Sequence, residues 1–194
     1  MENHNFFAML SRMKYINRWG LMRNTISENI AEHSLDTAII AHGLAVIGNT
    51  YFGKDVDAEH IAVLALFHDT TEIITGDLPT PVKYFAPEIR EAYKEVEKTA
   101  MNQLLTALPV EMNGVYKDVL NTDNGDEQSW KFVKAADKIS ALIKCVEEKR
   151  MGNTDFEKAE QATLSAIHDL KMEEAEYFLD KFLPAYSLTL DEQA

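Results

Sequence analysis

With a single cysteine, Cys145, in 194 residues, the chain can close no disulfide on itself. That excludes a stapled secreted scaffold and leads us to expect a reducing compartment, the cytoplasm. Basic charge is also scarce. Against 32 Asp and Glu there are only 19 Lys and Arg, a net charge of -13, which opposes binding to a nucleic-acid polymer or to an anionic membrane. Any phosphate-bearing ligand must therefore be small and met by local positive charge. Uninterrupted apolar runs fall short of the ~18 residues of a membrane span, and the N-terminus shows no basic segment leading into an apolar one. Strand alternation is almost missing too, and only 8 Gly and 5 Pro interrupt the sequence. What remains is helical periodicity throughout, without internal repeat, low-complexity tract or clear boundary. The expectation is one all-α bundle domain over residues 1–194.

The most informative stretch runs from Ile61 to Gly76. Its apolar half must be buried, yet it leads directly into His68, Asp69 and Glu72. On a continuous helix from an Asp57 N-cap to a terminating Gly76, His68 and Glu72 share one face with Asp69 beside them. Ionisable groups at the end of an apolar helix are costly unless a metal, a proton or a partner satisfies them. A divalent cation is the simplest candidate. An adjacent His-Asp pair cannot close a coordination sphere, so other ligands must come from elsewhere in the chain.

Phe6, Leu10, Met13 and Ile16 make a first amphipathic helix ending near Asn17, followed by the basic and aromatic linker Arg18 to Arg23. Asn29 with Glu32 reads as a capping box that opens a helix through Leu35, Ala38, Ile39, Val46 and Ile47 and places His33 in its first turn. The segment Gly76 to Tyr84 carries Pro79 and Pro81 and is expected to be a rigid, extended loop. A long helix from about Pro87 to Leu108 and a short one around Val115 to Leu120 come next, then the polar stretch Asn121 to Asp126. Asp126 can cap a helix with the stripe Trp130, Val133, Ala136, Ser140 and Ile143, in which Asp137 is an unusual carboxylate among small and apolar residues. Leu164, Ile167 and Leu170 mark a further helix, and Tyr177, Phe178 and Phe182 another or its continuation. The tail from Leu188 is acidic and expected to fray.

Four helix-borne groups can converge: His33, His68, Asp69 and Asp137. For His33 the alternative is a capped or surface histidine, and for Asp137 a buried partner of Lys134 or Lys138. Two imidazoles with two carboxylates would leave room for water around Co, Mn, Ni, Fe or Zn, unlike a closed structural zinc site. Glu72 is either the proton donor or a helix carboxylate paired to a lysine. Arg18, planar and always charged, is the best phosphate clamp, against an ordinary surface arginine. Trp19 offers a flat wall or a core anchor. His42 falls on the far side of the helix from His33 and reads as a core histidine, while His60 lies about 12 Å of helical rise before His68. Cys145 reads as a buried small hydrophobe.

The pattern His33, His68-Asp69, Asp137 resembles the H…HD…D signature of the HD-domain metal-dependent phosphohydrolases. Phe6-Phe7, Ile16-Asn17-Arg18-Trp19, Glu32-His33-Ser34, Thr75 to Tyr84 and Leu188 to Glu192 are similar to the bacterial 5'-deoxynucleotidase family over nearly the whole length. Thr70-Thr71 departs from the smaller residues expected there. The resemblance implies an HD-type helical bundle holding one divalent ion on His33, His68, Asp69 and Asp137, with cobalt preferred, and an isologous homodimer. It implies hydrolysis of deoxyribonucleoside 5'-monophosphates, with Arg18 and Glu72 acting on the phosphate and the leaving oxygen. Trp19 and Asp69 would line the substrate, Asp77 would accept from the 3'-hydroxyl, and Leu78, Pro79 and Thr80 would crowd the 2' position. Hydrolysis of a triphosphate or cyclic nucleotide, which demands more Lys and Arg than Arg18, Arg23 and Lys83, and a non-catalytic nucleotide sensor are the other readings.

Overall fold

The first turn of helix Ile30–Tyr51 shows how closely local chemistry dictates this architecture. Asn29 Oδ1 accepts from the amides of Ala31 and Glu32 at 3.0 and 3.1 Å, and Glu32 Oε2 accepts from the Asn29 amide at 3.2 Å. The reciprocal box satisfies orphan donors on both sides of the cap. The computed structural model describes residues 4–83, 85–122 and 125–193. Tyr84, at the end of the proline-rich segment, Asp123 and Asn124 in the polar stretch, and Ala194 in the tail lie outside the described residues.

In chain order the α-helices are α1 (Phe6–Leu10), α2 (Ile30–Tyr51), α3 (Ala58–Phe67), α4 (Glu72–Thr75), α5 (Thr80–Lys83), α6 (Pro87–Leu105), α7 (Asn113–Leu120), α8 (Glu127–Arg150), α9 (Glu157–His168) and α10 (Glu173–Lys181). Among the described residues there is no strand, only an isolated antiparallel bridge between Asn17 and Asn29. The fold class is all-α. Asp57 and Asp126 are caps as expected, accepting from the amides of His60 at 2.8 Å and Ser129 at 3.1 Å.

Three expected elements need correction. The first helix is shorter than its stripe: α1 stops at Leu10 and Ser11–Tyr15 tightens into a 3-10 turn. The segment after Gly76 is not extended throughout, because the Pro79 carbonyl accepts from the amides of Val82 and Lys83 at 2.8 and 3.0 Å and starts α5. The central helix is broken. α3 ends at Phe67, and the amides of Thr70 and Glu72 turn back onto Phe67 and Asp69 at 3.1 and 3.0 Å before α4 begins. His, Asp and two threonines in succession favour such i to i+3 turns over continued helix. Thr70 is fully buried at this turn.

The chain forms two compact units, each assembled from separate stretches: Met1–Leu21, Ser27–Ser34 and Phe67–Gly125 in the first, Met22–Ile26, Leu35–Leu66 and Asp126–Ala194 in the second. The first has a core of Phe6, Met101, Leu104, Leu105, Leu108 and Leu120, against which Phe67 and Tyr116 pack. The Phe6 ring meets Tyr116 edge-on at 4.8 Å and Phe67 meets it at 6.0 Å, an arrangement aromatic quadrupoles favour. Phe67 thereby anchors the turn that carries His68. The second unit is centred on Ile40, Leu44, Ile61, Leu64, Phe132, Ile139 and Leu142, and Cys145 is fully buried in α8.

α2 buries only part of its expected stripe: Ala38 and Ile47 are inside together with Ala41, Leu44 and Ala45, whereas Leu35, Ile39 and Val46 are 54%, 63% and 42% exposed. His42 is also exposed rather than in the core. By length and mean hydropathy alone α2 could cross a membrane, although polar residues interrupt its apolar run. It also carries Glu32, His33 and Asp36, and 56% of its most apolar window is buried in protein, the pattern of a core helix.

Candidate active site

Every residue in the following cluster belongs to the first unit. The capping box fixes the start of α2 and so directs His33 inward, where it is completely buried. The broken helix then delivers His68 and Asp69 to the same place. Asp69 Oδ2 lies 3.1 Å from His68 Nε2 and 3.5 Å from His33 Nε2. The two imidazole centroids are 5.2 Å apart. One ligand atom from each of the three residues falls within 4.8 Å of the others, a spacing at which they can share one cation. Thus the surface alternative for His33 is excluded by its burial. Asp137 is half-buried in the middle of α8, in the second unit.

Arg18 and Trp19 follow the bridge that pairs the end of the first 3-10 turn with the start of α2. The Arg18 amide donates to the Glu28 carbonyl at 2.9 Å and the Ile30 amide to the Ile16 carbonyl at 3.0 Å. Glu28 also holds both side chains: Oε2 accepts from Trp19 Nε1 at 2.9 Å and sits 3.5 Å from Arg18 Nη1. Trp19 adopts a positive φ of 59°, rare for so bulky a residue. Sequence reasoning missed Glu28. The indole donor of a half-buried Trp19 was the available signal, since such a donor requires an acceptor.

α4 carries Glu72, only 9% exposed. Gly76 ends it at φ 73°, and its amide bonds the Glu72 carbonyl at 2.8 Å. Tyr93 on α6 steadies this exit, its hydroxyl 3.2 Å from Thr75 Oγ1 and 3.4 Å from the Gly76 carbonyl. Asp77 then accepts from the Trp19 backbone amide. Leu78 and Pro79 are half-buried, Thr80 is exposed as the first residue of α5, and Lys83 at its end pairs with Glu97 at 3.1 Å above the Tyr93 ring.

The electrostatics separate three neighbouring carboxyl groups. Burial pushes Glu72 up to about 10, reinforced by Asp69 and Asp77 and only partly offset by Arg18 and Lys83. Asp69 goes the other way: burial opposes its charge, but His68, His33 and Arg18 outweigh it and hold the carboxyl well below the usual range. Asp77 is raised by burial with Asp69 behind it, against the pull of Arg18. A cluster that keeps one carboxyl protonated beside an ionised one has the elements of a proton donor next to a cation-binding group.

The 5'-deoxynucleotidase YfbR-like family model matches residues 5–186. A 5'-deoxynucleotidase of Vibrio cholerae is 47% identical over 192 residues, covering 99% of both chains. Among solved structures, an HD-domain phosphohydrolase from Listeria innocua superposes with a TM-score of 0.84 at 27% identity, covering 100% of this chain and 93% of its own. A cyanophage S-2L HD phosphohydrolase, solved with dA and one catalytic zinc ion, has a TM-score of 0.63 at 17% identity over 91% and 95% of the two chains, a likeness of fold. An all-helical frame whose broken helix sets a His-Asp pair against a buried histidine thus agrees with a match that extends over almost the entire length. The chain belongs to the 5'-deoxynucleotidase YfbR-like family of HD-domain phosphohydrolases.

Proposed function

We infer that the protein is a metal-dependent 5'-deoxynucleotidase, a phosphoric monoester hydrolase that converts deoxyribonucleoside 5'-monophosphates to deoxynucleosides and phosphate. The observation that carries this reading is the convergence of His33, His68 and Asp69 in a unit that also holds Arg18, Glu72 and Asp77, in a chain of this family. The donor set fits a divalent transition metal: two imidazole nitrogens face one carboxylate oxygen, a mixed N/O set open to water. We assign His33, His68, Asp69 and, as the fourth ligand, Asp137. Co is our first choice, with Mn, Ni, Fe and Zn compatible. When bound, such an ion supplies Lewis acidity, lowering the pKa of water and offsetting phosphoryl charge.

Phosphate monoesters require rate enhancements of up to ~10²¹, so the chain's own groups must contribute strongly. Arg18 clamps the phosphate, its fork of N–H donors matching the phosphoryl oxygens. Trp19 walls the nucleoside, and Asp69 borders the reacting phosphate as well as the ion. Glu72 is the general acid. Water adds at phosphorus, the P–O5' bond breaks, the departing oxygen takes the Glu72 proton, and a proton of the added water restores Glu72, leaving phosphate and a deoxynucleoside. A carboxyl that burial keeps protonated at neutral pH supports that role. Asp77 accepts from the 3'-hydroxyl, and the Leu78-Pro79-Thr80 backbone crowds a 2'-hydroxyl and selects deoxyribose.

The interleaving of the two units along the chain supports residues 1–194 as a single HD-type domain. The exposed apolar residues Leu35, Ile39 and Val46 on α2 support a homodimer, and the lone buried Cys145 supports a cytoplasmic location. The test is a panel of deoxy- and ribonucleoside 5'-monophosphates incubated with metal-stripped protein and then with each divalent ion, reading free phosphate. Release should depend on added ion and favour the deoxy series. Equal cleavage of ribonucleotides would overturn the Asp77 to Thr80 assignment, and undiminished activity after stripping would overturn the metal.

A further inference from the structure

We propose that Glu28 is a positioning residue that sets the phosphate arm and the nucleoside wall of the site together, acting through Arg18 and Trp19. This rests on the deoxynucleotidase reading above. A single oxygen of its carboxylate, Oε2, serves both neighbours, at 2.9 Å from Trp19 Nε1 and 3.5 Å from Arg18 Nη1. Both Glu28 and Arg18 are 13% exposed at the side chain, so their attraction is less screened than that of a surface pair. The backbone fixes the same register, because the Arg18 amide donates to the Glu28 carbonyl within the Asn17–Asn29 bridge.

Two features give this contact a purpose beyond stability. Trp19 holds a left-handed backbone conformation, φ 59°, that its bulk disfavours, and such conformations persist where the surroundings over-determine them. The indole bond to Glu28 is one such determinant. Arg18 also feels Asp69, Glu72 and Asp77, which would draw the guanidinium onto themselves. The Glu28 charge competes with them for the guanidinium, and at 3.5 Å it is too far for an ordinary hydrogen bond. It therefore steers the guanidinium without itself taking up an N–H donor.

Separating the two arms tests the idea. In metal-loaded enzyme, E28Q keeps an oxygen acceptor for Trp19 but loses the charge that steers Arg18. KM for dAMP and Ki for inorganic phosphate should each rise about tenfold, the worth of one charge-assisted contact, while Ki for the product deoxyadenosine stays within about twofold. E28L removes both functions and should weaken all three, and in a W130F background it should also shift Trp19 emission. In R18A, adding E28Q should leave phosphate inhibition unchanged. Equal weakening of phosphate and deoxyadenosine by E28Q, no effect of E28Q, or a full E28Q effect persisting in R18A would each overturn the proposal. If the wild type releases no phosphate from any deoxynucleotide with any divalent ion, the deoxynucleotidase reading fails and this one with it. An active wild type with an indifferent E28Q sinks this inference alone.

Discussion

Replacing Glu148 by alanine removes a buried carboxylate that several neighbours in the second unit bond to. Glu148 is 1% exposed and accepts from the Thr25 amide and hydroxyl, the Ile26 amide, Asn153 Nδ2 and Lys144 Nζ. Lys144, 4% exposed, would keep only the Ile26 carbonyl among these contacts. Removing one partner of a buried pair strands the other charge, at a cost of about 3–5 kcal/mol. For a chain of this length each kcal/mol is worth about 2–4 °C in Tm, so E148A should melt roughly 6–20 °C below wild type. Burial works against ionisation of Glu148, but the bonds from Lys144, Thr25 and Asn153 prevail and hold its carboxyl below the ordinary range. With the folded value depressed, its contribution is complete above the unfolded value of ~4.3 and is lost as the pH falls below it. Wild type should therefore lose stability on acidification more steeply than E148Q, in urea titrations between roughly pH 5 and 2.5. An E148A protein within about 1 kcal/mol of wild type, or parallel acid limbs for wild type and E148Q, would refute the claim that this carboxylate anchors Thr25 and Ile26 as a buried anion.

Glu72→Gln should lower kcat by about 10²–10⁴ without altering metal content by atomic absorption, and a near wild-type rate would remove Glu72 as the proton donor. Asp69→Asn should abolish the stabilisation that saturating divalent ion gives the wild type, about 2.7 kcal/mol at a hundredfold excess over Kd, as read by thermal melts with and without chelator. A D69N protein that still shows the full metal-dependent rise in Tm would place the ion elsewhere.

The parts of this molecule that a sequence expresses locally were legible. The Asn29–Glu32 box, the Asp57 and Asp126 caps and the His68-Asp69 pair are each written within a few adjacent residues, and their geometry follows from backbone valence. Burial was harder to read where a helix has apolar residues on more than one side. α2 offers both an Ala38-Ala41-Ala45 face and a Leu35-Ile39-Val46 face, and the face with the small residues is buried, so hydrophobicity placed Ala38 and Ile47 correctly but Leu35, Ile39 and Val46 on the wrong side. The break after Phe67 was hidden for a related reason: helical spacing carries His68 onward to Glu72, and nothing in periodicity registers that Thr70 and Glu72 bond backward by three.

That break matters for the chemistry more than the missed stripe does. On a straight helix His68 and Glu72 would be adjacent rungs of one face, and a carboxylate so placed reads as easily as a lysine partner as an acid. The turn at Asp69-Thr70-Thr71 instead puts Glu72 at the head of a separate short helix, nearly excluded from water, with Asp69 and Asp77 raising its proton affinity. Two carboxyl groups three residues apart are thereby driven to opposite protonation states, Asp69 anionic toward His33 and His68 and Glu72 neutral. The opposite protonation of these two carboxyls, which the roles proposed for Asp69 and Glu72 require, is thus produced by the interruption of the helix, a feature that depends on which backbone amide bonds which carbonyl rather than on which side chains are present.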